Sequence, residues 1–139
     1  ESHAIMRYLC DREGADGFYP KDARTRAQID AWLDWTHASL NPPVQTAFME
    51  KLFKGDRADK EVLAASRDRL SEALAVMERG RGVFPILSDR INIADIAMAT
   101  TLALHELAGG DLSAAPGIVA WLRKLKERPS FVATAPRMG

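Results

Sequence analysis

Ile91-Asn92-Ile93-Ala94-Asp95-Ile96 is the stretch whose reading decides the fold. Asn92 is a strong N-cap residue, and Asp95, three positions on, can reach back to the Asn92 backbone N–H. That is the reciprocal logic of a capping box, with Asn and Asp in place of Ser/Thr and Glu. Ile91 and Ile96 stand at the positions of a hydrophobic staple over the cap. The helix so begun continues through Ala97-Met98-Ala99-Thr100-Thr101-Leu102-Ala103-Leu104 to His105-Glu106-Leu107 and stops at Gly109-Gly110. No Asp, Glu, Lys or Arg lies between Asp95 and Glu106. A helix apolar on nearly every side is expected to be buried on every side. The segment therefore reads as a central helix around which amphipathic helices pack.

Working toward the N-terminus, Leu63, Ser66, Leu70, Ala73, Leu74 and Met77 recur at helical spacing and mark a helix closed by Gly80 and Gly82. Val83-Phe84-Pro85-Ile86-Leu87 is then an apolar loop expected to be buried. Upstream, Asp22 caps a long helix with the stripe Ile29, Trp32, Leu33, Thr36 and Leu40. Asn41-Pro42-Pro43 should kink that helix or begin a second segment through Phe48, Met49, Leu52 and Phe53, broken at Gly55-Asp56. Asp11 to Pro20, with two glycines and Tyr19-Pro20, reads as a linker outside the core. Before it, Ser2 is expected to cap a short helix with Ile5, Met6 and Leu9 on its apolar face, ending before Glu13-Gly14. Beyond Gly110, Pro116 stands near the start of a helix carrying Ile118, Trp121, Leu122 and Leu125. That helix ends at Arg128-Pro129, and Phe131 can fold back onto the bundle. No strand alternation or internal repeat is visible, so the fold class is all-α, a helical bundle around a buried central helix.

A chain of 139 residues that is 47% hydrophobic has room for one core. Lys+Arg and Asp+Glu number 19 each, so no overall field draws the chain to nucleic acid or to a membrane surface. The single cysteine, Cys10, excludes an internal disulfide framework and suits a reducing compartment. No apolar run reaches the length of a membrane span. Glu1-Ser2-His3 is no signal peptide and no initiating Met is present, so the chain reads as part of a longer one.

The residues do not compose a self-sufficient active site. His3, His37 and His105 have no carboxylate or cysteine at metal-ligand spacing, so no metal is expected. Cys10 falls late in a helix, away from any positive helix N-terminus, and should be an unactivated thiol. Two places can still carry chemistry. At Glu1-Ser2 a helix start offers a hydroxyl and free backbone N–H groups to an anion, and the neighbouring carboxylate can take an ammonium; together they suit an amino-acid-like head group, although from the residues alone an ordinary N-cap is by far the better explanation. The other place is the aromatic cluster Trp32, Trp35 and Phe48, with His37 and Asn41 between them. Trp32 lies on the core stripe. Trp35 lies off it and either covers a helix contact or faces a ligand.

Glu1-Ser2-His3-Ala4-Ile5-Met6-Arg7-Tyr8-Leu9 resembles the E-S-x-A-I-x-x-Y-L segment that closes the thioredoxin-like N-terminal domain of glutathione transferases. Tyr19-Pro20-Lys21-Asp22 followed by Arg26-Ala27 resembles the entry to their all-helical C-terminal domain. Asn92-Ile93-Ala94-Asp95-Ile96 is similar to the family's S/T-x-A-D capping box, apart from Asn at the cap. Pro116 to Phe131, with Trp121 and Arg128-Pro129-Ser130-Phe131, resembles its closing pattern. Leu33-Asp34-Trp35-Thr36-His37-Ala38-Ser39-Leu40-Asn41-Pro42 is similar to a stretch of theta-like, especially bacterial, members. The resemblance runs through essentially the whole chain in order.

The resemblance implies that residues 1–12 are the last helix of a truncated N-terminal domain, 13–21 a linker and 22–139 the helical C-terminal domain. It implies glutathione as co-substrate, with Ser2 holding the γ-glutamyl carboxylate and Glu1 the ammonium. Trp35, Asn41 and Phe48 would then wall a pocket for a small hydrophobic electrophile. The group that activates the thiol would lie in the preceding domain, so this chain would lack the catalytic residue. A cytoplasmic homodimer active in detoxification is the corresponding expectation. Some theta members carry Arg where this chain has Asn41, so their substrate preferences do not transfer. The same fold also serves as a non-catalytic assembly domain in translation factors and some synthetases, and in glutathione-dependent isomerases, dehalogenases and peroxidases.

Overall fold

The computed structural model describes residues 1–81, 87 and 90–135. Among them the secondary structure is helical throughout: α1 (Ser2–Glu13), α2 (Ala23–Trp35), a π-helical turn (Thr36–Leu40), α3 (Asn41–Lys54), a short 3₁₀ turn (Gly55–Arg57), α4 (Lys60–Gly80), α5 (Ile93–Leu107), α6 (Pro116–Lys126) and α7 (Pro129–Thr134). The all-α expectation holds. Val83 to Ile86 and Gly82 lie outside the described residues, while Leu87 is buried.

The capping box on α5 forms in full. Asn92 Oδ1 accepts from the Ala94 and Asp95 N–H groups at 2.9 and 3.3 Å, and Asp95 Oδ2 accepts from the Asn92 N–H at 2.9 Å. The other carboxylate oxygen accepts from the Leu87 N–H at 2.7 Å, tying the preceding loop to the helix start. Leu87 holds φ 54, a left-handed conformation costly for a branched residue, so this bond fixes a strained turn. Of the two staple positions, Ile91 is partly buried against the core and Ile96 is 37% exposed.

Ile96 also corrects the expectation of burial on every side. Ile93, Ala94, Asp95, Ala97, Met98, Ala99, Leu102 and Ala103 are buried, yet Ile96 and Thr100 are exposed. One edge of the central helix stays open along the i, i+4 spacing.

Asp22 caps α2 through the Thr25 N–H and hydroxyl, at 2.8 and 2.7 Å. At the other end, Pro42 and Pro43 have no N–H to return to the carbonyls of Ala38 and Ser39. The chain answers with a π turn, in which the Asn41 N–H reaches the Thr36 carbonyl, and the second segment, α3, begins at Asn41. The two prolines then sit in the first turn of α3, where no intrahelical donor is needed.

Residues 14–20 are not a loose linker. α1 runs one residue further than expected, to Glu13, and ends on Gly14 at φ 63. The following strap returns over the bundle: the Phe18 carbonyl accepts from the Ile93 N–H at 3.1 Å. Tyr19 is 5% exposed and donates its hydroxyl to Asp30, which also accepts from Arg7 Nε at 2.7 Å. Arg26 stacks over the Tyr19 ring, 4.1 Å from its centre. A window of sequence shows only turn formers here, because the partners of Tyr19 are on α1 and α2.

Gly80 is the last residue of α4, and a Cβ there would meet the Trp32 ring at 3.0 Å, so it permits close packing of α4 on α2. Beyond it, Glu78 serves a different helix. Its Oε1 accepts from the Ile118 N–H at 2.9 Å, supplying the first turn of α6 with the acceptor that Ala115 lacks. Phe131, on α7, packs against the core.

Candidate functional site

A hollow of about 350 Å³ opens between α1, the π turn, the start of α3 and the open edge of α5. Ser2, His3 and Met6 come from α1, Thr36 and His37 from the π turn, and Asn41 from α3. Ile96, Thr100, Thr101 and Leu104 form the wall from α5. The π turn and the exposed edge of the central helix, the two local departures from regular buried helix, therefore meet at one place.

Ser2 is the first helical residue rather than the cap expected from sequence. Glu1 occupies the cap position and gives no side-chain bond to the helix. The Ser2 hydroxyl makes no hydrogen bond among the described residues. The first backbone acceptor bond of α1 is Ile5 N–H to the Glu1 carbonyl, so the N–H groups of Ser2, His3 and Ala4 stand without helical partners. Hydroxyl, free N–H groups and the positive end of the helix dipole together favour a carboxylate or another small anion.

His3 and His37 meet edge to face with ring centres 6.1 Å apart. Burial holds the His3 ring below its ordinary pKa, and the neighbouring Arg7 and His37 push the same way. A neutral imidazole is thus the form at neutral pH, a hydrogen-bonding group rather than a fixed charge. Thr100 and Thr101 donate their hydroxyls back to the Ile96 and Ala97 carbonyls at 2.9–3.0 Å, and each keeps lone pairs free to accept.

The structure brings together Ser2 and Asn41 among the residues singled out from sequence. Glu1 is exposed beside the hollow without lining it. Trp35 is half-buried against Trp32, with ring centres 5.1 Å apart, and does not line it. Phe48 is half-buried about two turns along α3 from Asn41 and lies outside it too. Sequence reasoning missed the α5 edge. The signal was the pair Thr100-Thr101, the hydroxyls in an otherwise apolar helix.

Two buried titratable groups stand apart from the hollow. Burial pushes the Asp95 carboxyl up to about 6, against the opposing pull of the Leu87 and Asn92 N–H groups. Burial also raises the Cys10 thiol, which agrees with an unactivated cysteine. Among the described residues no group of three or more His, Cys, Asp or Glu is placed to hold a metal ion, and no helix is long and apolar enough to cross a membrane.

The family model described as "Glutathione S-transferase, C-terminal domain" matches residues 60–124. Mouse glutathione S-transferase theta-3 is 30% identical over 135 residues, covering 91% of this chain and 56% of that protein. The chain belongs to the glutathione S-transferase family through its C-terminal domain. A solved glutathione S-transferase from Pseudomonas fluorescens superimposes with TM-score 0.78 at 30% identity, covering 93% of this chain and 64% of that one. The theta-class glutathione S-transferase from Xanthomonas axonopodis pv. citri, solved with glutathione bound, gives TM-score 0.85 over 99% of this chain and 67% of that one. At 23% identity it shows the shared fold alone. The glutathione S-transferase C-terminal domain described here spans little more than half the length of the curated relatives it matches.

Proposed function

We propose that this chain is the part of a glutathione transferase that grips the γ-glutamyl end of glutathione and walls the electrophile pocket. In this reading residues 1–12 are the last helix of a thioredoxin-like domain, 13–21 the connection and 22–139 the helical domain. The thiol-activating group is supplied from outside the chain. A positioned thiolate then attacks an electrophilic carbon of a hydrophobic substrate, the transfer gaining from proximity and from a lowered thiol pKa. Trp35, Asn41 and Phe48 along α2 and α3 are assigned to the electrophile side, in a cytoplasmic homodimer that serves detoxification.

The observation that carries the reading is Ser2. It stands in the first turn of α1 with its hydroxyl uncommitted, at the lip of a hollow whose far walls are Asn41 and the open edge of α5. Ser2→Ala in the full-length protein should raise the Michaelis constant for glutathione about tenfold, equivalent to about 1.4 kcal/mol. The turnover number should be largely spared, because the residue binds one end of the tripeptide remote from the reacting sulfur. Steady-state kinetics with varied glutathione and an aryl halide make the test. An unchanged Michaelis constant would leave Ser2 a structural residue and remove the assignment.

A further inference from the structure

Helix α1 carries Ser2 at its start, so the seat of α1 on the rest of the chain decides where that hydroxyl stands. The apolar part of the seat is small. Cys10 is buried and Met6 packs against the core, while Ile5, Tyr8 and Leu9 are exposed. Apolar contact is non-directional and does not by itself set the axial position of a helix. The charged side chains do.

Arg7 Nε donates to Asp30 at 2.7 Å, and a second nitrogen of the same guanidinium stands 3.7 Å from Asp34. Arg26 donates to Asp11. Arg7 and Asp11 are four residues apart on α1, and Arg26 and Asp30 are four apart on α2, so each helix presents one cation and one anion on a single face. Arg7 meets Asp30 and Asp11 meets Arg26, so the rungs run in opposite chain directions. A slip of one turn sets Arg7 opposite Arg26 or Asp11 opposite Asp30, and attraction becomes repulsion. Tyr19 closes the ladder. Its hydroxyl donates to the Asp30 carboxylate, 2.9–3.0 Å from both oxygens, and its ring lies 4.1 Å from the Arg26 guanidinium. Arg26 also donates to the Pro20 carbonyl, so the strap is tied at the same rung. Partly exposed ion pairs add little to stability as such. Their arrangement selects one register over its neighbours.

We propose that Arg7, Asp11, Arg26 and Asp30, closed by Tyr19, are positioning residues for glutathione: a charge ladder that fixes the axial register of α1 and holds the Ser2 hydroxyl at the lip of its hollow. The inference rests on Ser2 as the γ-glutamyl anchor. None of the ladder residues lines that hollow, so they act on it through α1. Ser2 stands five residues from Arg7, about 7.5 Å along the helix. A one-turn slip would carry it about 5.4 Å, further than any hydrogen bond tolerates.

The test is steady-state kinetics of the full-length protein with varied glutathione, beside amide hydrogen exchange of α1 measured without glutathione. Asp30→Asn keeps an acceptor for Tyr19 but removes the charge facing Arg7. It should raise the Michaelis constant for glutathione at least threefold, leave the turnover number within twofold, and quicken exchange over residues 5–12. Asp30→Glu should stay close to wild type, and Asp30→Arg should raise the constant at least tenfold. Should Asp30→Arg fail to fold by circular dichroism, Asp30→Asn carries the test. Added to Ser2→Ala, Asp30→Asn should raise the constant little further, because both act on one contact. An unchanged constant in Asp30→Asn while Ser2→Ala raises it overturns the ladder alone. So does a full additional rise in the Ser2→Ala background, which would place the effect elsewhere. Faster α1 exchange with the constant unchanged in both variants overturns the Ser2 assignment, and the glutathione role of the ladder with it.

Discussion

Asp95 is fully buried, and its carboxyl sits at about 6 where an unfolded aspartate has 3.8. That difference corresponds to roughly 3 kcal/mol between the ionised and protonated forms, at about 1.36 kcal/mol per unit. The folded state therefore binds the proton more tightly than the unfolded one. Stability from this group is fully present below pH 3.8 and is lost as pH rises through about 6. Between pH 7.5 and pH 5 the wild type should gain about 1.4 kcal/mol from Asp95 alone. His3 and His105 are both held below the ordinary histidine range by burial and work in the opposite direction over the same interval. They are common to every variant, so the comparison with Asp95→Asn cancels them.

Urea denaturation followed by far-UV circular dichroism at pH 7.5 and pH 5 reads the effect. With a slope of about 1–3 kcal/mol per molar urea, the wild-type midpoint should move up relative to Asp95→Asn by about 0.5–1.4 M on acidification. Asp95→Ala orphans the Leu87 and Asn92 N–H groups and should cost about 1–2 kcal/mol at pH 7.5. That penalty should be larger at pH 5, because the wild type alone gains there. If the difference between wild type and Asp95→Asn is the same at both pH values, or changes in the opposite sense, the two N–H bonds outweigh burial and the reasoning fails.

Tyr19→Phe removes the hydroxyl that joins the strap to Asp30 and should cost about 1 kcal/mol, since Asp30 is partly solvated and keeps Arg7; a thermal midpoint lowered by about 3 °C is the readout. The 139-residue chain alone should fold as a helical domain yet show no transferase activity and no glutathione binding below millimolar by calorimetry. One charged hydrogen-bond site of about 1.5–3 kcal/mol does not offset the ordering of a flexible tripeptide. The full-length protein should be a homodimer by light scattering at micromolar concentration. Met49, Leu52 and Phe53 are exposed together on α3, beyond what the internal core needs, and a monomer would remove that reading.

What the sequence determined by itself were the features whose causes are local. The capping box at Asn92 and Asp95, the Asp22 cap, the first-turn prolines of α3 and α6 and the helical stripes through Leu33, Leu70 and Ile118 all depend on neighbours within one or two turns. Ser2 and Asn41 were also legible as candidate site residues, the first from its place at a helix start. The rest was decided by partners distant in the chain. Tyr19 became core because Asp30 and Arg7 meet it, and Glu78 became the acceptor for α6 because the end of α4 lies beside Pro116-Gly117-Ile118. Ile96 with Thr100 stayed open. Hydrophobicity on every side of a helix says that it is suited to burial but not that every side finds a neighbour. Only packing decides which edge is left uncovered, and here it left the edge that faces Ser2.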